Sequence, residues 1–203
     1  MKRLPSMFAL DLDGTVTRRE ILPVIADELG FASEIALLTR LSLQGSMRFE
    51  QVFRLSVEVL RSIPISRVQK IVAGIPLDPE IEAFIAAHRE SCAIITGNLD
   101  CWISPLVERL GCISFSSVAA TQGDTLVGIR SIQNRTRAVQ SLRKKAGRVV
   151  AVGQTLRDLP LFEESDANVA FGGLYDPPQA LIGISDFVAY ESRSLCQLLS
   201  SLS

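Results

Sequence analysis

The sequence predicts an α/β fold: a doubly wound parallel sheet with a small inserted helical segment. Two patterns predict it. Short apolar runs alternate with amphipathic stretches of helical spacing over most of the chain, and such alternation builds parallel sheets with right-handed crossovers. One stretch of roughly 60 residues, near the lower end of domain size, has helical spacing only and directly follows the first apolar run.

Met7-Phe8-Ala9-Leu10 is the first strand, a continuous apolar run that stops at Asp11. The insert follows, with helices from Ile21 to Leu29 (closed by Gly30), Ile35 to Leu43, Phe49 to Ile63 (stopped by Pro64) and Ser66 to Ala73. Residues 18–77 are therefore assigned to the insert, and residues 1–17 and 78–203 to the sheet unit. Asp78-Pro79-Glu80 starts a helix with a capping carboxylate and a first-turn proline, and that helix runs to about Arg89. Cys92 to Ile95 is a strand ending at Thr96-Gly97-Asn98, and a helix spans Leu99 to Leu110 before Gly111. Ile113 to Val118 is a strand, and Gln122-Gly123-Asp124 is a turn leading to Leu126-Val127. A helix at Arg135 to Lys145, a strand at Arg148 to Val152, a short helix at Leu159 to Glu164 and a strand at Asn168 to Phe171 follow. The chain closes with a helix at Ser192 to Leu199.

Composition excludes several classes. With 203 residues the chain can bury a core without staples. Its 47% hydrophobic and 21% charged content argue against disorder. A net charge of −1 gives no broad basic footprint for nucleic acid, although Arg135 to Lys145 gathers five basic residues. The mean hydropathy of +0.28 has two readings, an aliphatic-rich core or the self-association surface of a homodimer. No apolar run approaches the roughly 18 residues that span a bilayer, and the N-terminal run is too short for a secretory leader. A cytoplasmic protein without a membrane anchor is expected. Cysteines 92, 101, 112 and 196 form no C-x-x-C and read as buried small hydrophobes. His88 is the single histidine and reads as a solvated helix position. Catalysis, where present, has to run on carboxylates, hydroxyls and a hard metal ion.

In such sheets active sites lie at the carboxyl ends of the strands. The first strand ends in Asp11-Leu12-Asp13-Gly14-Thr15, the second in Thr96-Gly97-Asn98, and the strand at 148–152 in Gly153-Gln154-Thr155, with Asp158 close behind. Arg135 and Arg137 open the helix before that last strand. Carboxylates, a hydroxyl and a cation converging on one edge suit a phosphoryl group with Mg²⁺, which takes hard oxygen ligands and lets substrate phosphate complete its shell. Side chains alternate along an extended segment, so Asp11 and Asp13 can face one pocket.

These residues resemble the haloacid dehalogenase superfamily, in its phosphoserine-phosphatase-like branch with a helical C1-type cap. D-x-D-G-T after an apolar strand is that family's first motif, and Met47 to Gln51 and Ile63-Pro64 match its cap. The resemblance implies that Asp11 is the nucleophile that forms an aspartyl-phosphate and Asp13 the general acid and base. It implies that Thr96, with the Gly97 N–H, binds phosphate, and that Mg²⁺ is held by Asp11, the Asp13 carbonyl and the fourth motif.

Three departures modify the expectation. The third-motif lysine is replaced by Arg135, whose apolar followers Ala138, Val139 and Leu142 have the family spacing, with Arg137 as second choice. The fourth motif, G-D-G-x-N-D in the family, reads Gly153-Gln154-Thr155-Leu156-Arg157-Asp158. Gln154 thus replaces a metal-binding aspartate and weakens metal binding. Asp158 is expected to take over or to bind the metal through water, and Arg157 adds a cation. In the cap, Glu20 matches an acidic residue that meets the substrate amine, but the arginine for the substrate carboxylate falls on Ser56. Arg54 lies two positions off. The expected function is Mg²⁺-dependent hydrolysis of a small phosphorylated metabolite other than phosphoserine. The alternative is a catalytically impaired member that binds a phosphorylated ligand or a protein partner.

Overall fold

The computed structural model describes residues 4–43 and 46–203. Among them, seven strands form one sheet in the order β4-β3-β2-β1-β5-β6-β7. The strands are β1 (Leu4–Leu10), β2 (Cys92–Leu99), β3 (Ile113–Gln122), β4 (Thr125–Ser131), β5 (Ala146–Gly153), β6 (Ala167–Phe171) and β7 (Phe187–Ala189). All neighbours are parallel except β3 and β4, which form an antiparallel hairpin at one edge. The order reverses at β1, which lies between β2 and β5.

β1 shows why the sheet is covered on both sides. Phe8 and Leu10 belong to one apolar cluster, Met7 and Ala9 to another, as a strand buried on both faces requires. The second cluster packs against α7 (Arg135–Arg143) and α8 (Leu159–Glu163) through Ala138, Val139, Leu142, Leu161 and Phe162. The helices inserted after β1 are α1 (Ile21–Leu29), α2 (Ala32–Leu43), α3 (Phe49–Leu60) and α4 (Ile65–Ala73), and the first cluster extends into α1, α3 and α4. There Ile25, Val57, Leu60, Val68 and Val72 join Phe8, Leu10 and Leu12 in a single core. The rest of this layer comes from α5 (Pro79–Ala87), α6 (Asp100–Leu110) and α10 (Ser192–Ser201).

The segments that join the insert to the sheet lie side by side. Thr17 bridges Leu77, the Arg18 N–H donates to the Pro76 carbonyl at 2.9 Å, and the Asp78 N–H donates to the Val16 carbonyl at 2.8 Å. Asp78 also caps α5, accepting from the Glu80 and Ile81 N–H groups, and receives the Ser192 hydroxyl and Arg18. Asp78→Ala is expected to cost about 2 kcal/mol, the upper range for a cap, and Asp78→Asn about half of that. Urea unfolding of the two variants measures both.

The structure corrects several sequence expectations. β2 continues through Thr96-Gly97-Asn98 to Leu99, with its pairing to β3 interrupted between Ile95 and Leu99, so α6 begins at Asp100. β7 and the single turn α9 (Gln179–Ile182) were not anticipated, being too short to show a period. Of the cysteines only Cys92 is buried; the other three are half-buried. His88 is half-buried too, its ring stacked on Phe84 at 4.4 Å. The basic run is not one patch: Arg135 turns inward to Asp11, and Arg143 pairs with Asp166 at 2.9 Å. Among the described residues, no helix is long and apolar enough to cross a membrane.

Candidate active site

The turn after β1 places the first two carboxylates. The Asp11 N–H donates to the Val152 carbonyl at 3.0 Å, so β1 and β5 still run together where the site begins. Gly14, at φ +72°, then folds the chain back, a backbone state open to glycine at little cost. The Thr17 hydroxyl closes this turn by donating to the Leu12 carbonyl and accepting the Gly14 N–H.

Asp11 is buried. Its Oδ1 receives Arg135 Nη2 at 2.9 Å, and the same nitrogen lies 3.1 Å from Asp158 Oδ1. Arg135 Nη1 donates to the Ile95 carbonyl at 2.9 Å. One guanidinium thus ties β1, β2 and the fourth motif together, a reach that its fixed fork of donors allows. Arg137 is exposed, and its backbone N–H donates to the Asn134 cap. Of the two arginines expected here, Arg135 is the one that faces Asp11 and Asp158. Burial lifts the Asp11 carboxyl well above the ordinary carboxylate value, and Asp158 adds to the rise while Arg135 opposes it.

Asp13 is held by three donors. The Ile21 N–H at the start of α1 reaches Oδ1 at 2.8 Å, the Asn98 side-chain amide makes a short hydrogen bond to Oδ2, and the Thr96 hydroxyl lies 3.5 Å from Oδ2. Asp13 therefore sits at a helix N-terminus, where a negative charge is favoured. Burial nevertheless raises its pKa, against the pull of Ile21 and Asn98. The Thr96 hydroxyl is fully buried and also accepts from the Asn98 backbone and side-chain amides. It lies beside Asp13, within a network already formed.

The fourth motif is built around Asp158. Its Oδ2 accepts from the Gln154 N–H (2.9 Å), the Thr155 N–H (2.9 Å) and the Thr155 hydroxyl (3.2 Å). Oδ1 is buried, receives no aligned hydrogen bond, and is balanced by Arg135. Gln154 is buried, and its side-chain NH₂ donates to the Asp13 main-chain carbonyl at 2.7 Å. The Leu174 N–H donates to the other end of that amide at 3.4 Å.

A cavity of about 70 Å³ opens on these groups. Asp11, Asp13, Gly97, Asn98, Arg135 and Thr155 form its floor, and Glu20, Leu22, Pro23, Phe49, Val52 and Phe53 close it from the insert. Arg157 stands over the Phe49 ring at 4.3 Å, a favourable place for a guanidinium. Glu20 is half-buried; burial raises its carboxyl, Asp13 adds to that, and Arg157 opposes it. Ser56 is buried and donates to the Val52 carbonyl, whereas Arg54 pairs with Glu50 on the exposed surface. No cation therefore faces the cavity from these two positions of α3.

The structure brings together Asp11, Asp13, Thr96, Gly97, Arg135, Glu20, Gln154 and Asp158, and leaves the second-choice cation Arg137 exposed and outside the cluster. Asn98 was not singled out. Its signal was its place as third residue of the turn-like T-G-N at a strand's carboxyl end.

Comparison with known proteins bears on the family and the fold. The family model described as haloacid dehalogenase-like hydrolase matches residues 8–163. The phosphoserine phosphatase of Methanocaldococcus jannaschii is 24% identical over 184 residues, covering 84% of this chain and 87% of that protein. The phosphoserine phosphatase of Vibrio cholerae is 27% identical over 181 residues, covering 82% of this chain but only 55% of that one. The chain thus spans about half the length of some relatives. The solved structure of a phospho-aspartyl intermediate analogue of phosphoserine phosphatase superposes with a TM-score of 0.79 at 22% identity, each chain fully covered. From the D-x-D turn, the strand-end cluster and the match over most of its length, the chain belongs to the haloacid dehalogenase-like hydrolase family.

Proposed function

We propose that the protein hydrolyses a small phosphomonoester other than phosphoserine, through an aspartyl-phosphate on Asp11. The observation that carries the reading is that Asp11 and Asp13, two residues apart, line one small cavity with separate supports. In the first step an Asp11 oxygen attacks phosphorus, the P–O bond to the leaving group breaks, and Asp13 gives its proton to the departing oxygen. In the second, Asp13 takes a proton from a water molecule. That water attacks the phosphorus, and the Asp11–phosphorus bond breaks to release phosphate. Burial raises the Asp13 pKa in the direction the first step needs, while Arg135 opposes the corresponding rise at Asp11. The family membership, and the likeness of this fold to that of the phospho-aspartyl intermediate analogue, support this sequence.

Magnesium is the cofactor that the family resemblance implies. The oxygens meant for it are Asp11, the Asp13 carbonyl, Gln154 and Asp158. In this arrangement they do not fit it. Arg135 already meets Asp11 and Asp158, and the Gln154 NH₂ covers the Asp13 carbonyl. No step is therefore written through a metal.

The substrate reading rests on α3. With Ser56 bonded to its own helix and Arg54 turned outward, a substrate carboxylate loses the cation expected there, while Glu20 still offers an anion to an amine. Phosphoethanolamine is expected to be turned over with a kcat/KM at least equal to that of phosphoserine. A preference of about tenfold or more for phosphoserine, near 1.4 kcal/mol, overturns the exclusion. Gln154 favours a second reading, a site that binds phosphorylated ligands with little turnover. No hydrolysis of an aryl phosphate by the wild type, with bound ligand retained, selects it.

A further inference from the structure

The disagreement between this site and a divalent cation has a structural cause that the residues identify. The Gln154 side chain is 1% exposed, and its NH₂ fills the space beside the D-x-D turn so fully that a Cβ on Gly14 would lie 2.0 Å from it. Its hydrogen bond to the Asp13 carbonyl, at 2.7 Å, covers the main-chain oxygen on which a metal would sit. The amide is oriented from both ends. Turning it over would set its oxygen against the Asp13 carbonyl and its NH₂ against the Leu174 N–H, replacing two hydrogen bonds by two repulsions.

The remaining oxygens are engaged as well. Asp158 turns Oδ2 toward two backbone N–H groups and the Thr155 hydroxyl, and Oδ1 toward Arg135. Asp11 Oδ1 is held by the same guanidinium. Among the described residues, no three His, Cys, Asp or Glu side chains are grouped to hold a metal.

We infer that the Gln154 amide and the Arg135 guanidinium stand in for a divalent cation, the amide on the Asp13 carbonyl and the guanidinium on Asp11 and Asp158. The wild-type site then binds no divalent ion. A magnesium ion entering it would have to shed part of a tightly held water shell and displace a buried amide that adds no charge in return. One substitution reverses this: Gln154→Asp removes the donor from the Asp13 carbonyl and supplies an ionised oxygen.

The inference rests on reading this cavity as the family's phosphoryl-transfer site, but its test needs no turnover. Mn²⁺ is titrated into the wild type, Gln154→Asp, Gln154→Ala and Asp11→Asn/Gln154→Asp, and free Mn²⁺ is read by electron paramagnetic resonance. The wild type is expected to leave Mn²⁺ free. Gln154→Asp is expected to bind one equivalent about 10- to 100-fold more tightly than any wild-type binding, the scale on which a metal shell responds to its partners, and the double variant to lose that site. Gln154→Ala, which removes the amide without adding charge, covers the case in which the aspartate variant fails to fold, and is expected to bind more Mn²⁺ than the wild type. One Mn²⁺ bound by the wild type, and lost when Asp11→Asn alone is titrated beside it, overturns the inference. So does a folded Gln154→Asp variant that binds none. A wild type that hydrolyses aryl phosphate while binding no Mn²⁺ supports both this inference and the proposed function. One that neither hydrolyses nor binds supports the inference and overturns the function.

Discussion

Asp11→Asn is expected to reduce hydrolysis of an aryl phosphate to the rate measured without protein, a loss on the order of 10⁴-fold or more. The Asp11 carboxylate is the attacking group, and an amide at that position cannot form the acyl phosphate. Asparagine has nearly the same shape, and its oxygen can still accept from Arg135 Nη2, which meets Asp11 Oδ1 at 2.9 Å. The variant also removes a buried negative charge that lies against Asp158. Its melting temperature is therefore expected to match or exceed that of the wild type. This pairing separates a chemical loss from a folding loss. An Asp11→Asn variant that retains turnover shows that hydrolysis does not pass through this residue.

Arg135→Ala is expected to be the costliest single change to the site in stability. The Arg135 side chain is 13% exposed, and the carboxylates it pairs with are 6% (Asp11) and 0% (Asp158) exposed. Removing one partner of a buried ion pair leaves uncompensated charge, a loss of about 3–5 kcal/mol. Arg135→Lys keeps the charge but not the fork, so it cannot serve Asp11, Asp158 and the Ile95 carbonyl together. An intermediate loss is expected. The deficit of the alanine variant should depend on pH with a definite sign. Asp11 has a raised folded pKa, and losing Arg135 raises it further. A carboxyl of this kind binds more protons folded than unfolded. Its contribution is present at low pH and is lost as pH rises through the folded value. Denaturant unfolding should show a larger gap between variant and wild type at pH 8 than at pH 5.

Much of the site was legible because its residues lie at points where the apolar pattern stops. Asp11 ends β1, Thr96 follows the apolar part of β2, and Gln154 follows β5, so a parallel sheet alone brings them to one edge. Arg135 could be chosen over Arg137 by the spacing of Ala138, Val139 and Leu142, which fixes which side of α7 faces the sheet. What the pattern could not carry was orientation. Nothing in the order Gly153-Gln154-Thr155 tells whether the amide presents its oxygen or its NH₂ to Asp13; that depends on Leu174, twenty residues further on. Asn98 was passed over for a related reason. Its bond to Asp13 joins residues 85 apart in the chain, and no local spacing records it. Among the described residues β7 is an edge strand paired with β6, and it owes its existence to that neighbour.

The placement of β1 in the middle of the sheet has a consequence for how the chain comes off the ribosome. This strand is made before the rest of the sheet, and its partners begin at Cys92 and Ala146. At about 5–20 residues per second, β5 follows β1 by roughly 7–30 s. Until Cys92 is made Met7 to Leu10 have no strand to join, while α1 to α4 can form from contacts close in sequence. Because the insert shares one core with Phe8 and Leu10, it can shelter one side of the strand before the other exists. Nascent chains halted before residue 135 should therefore hold chaperones through the uncovered side, that of Met7 and Ala9, which α7 and α8 later cover.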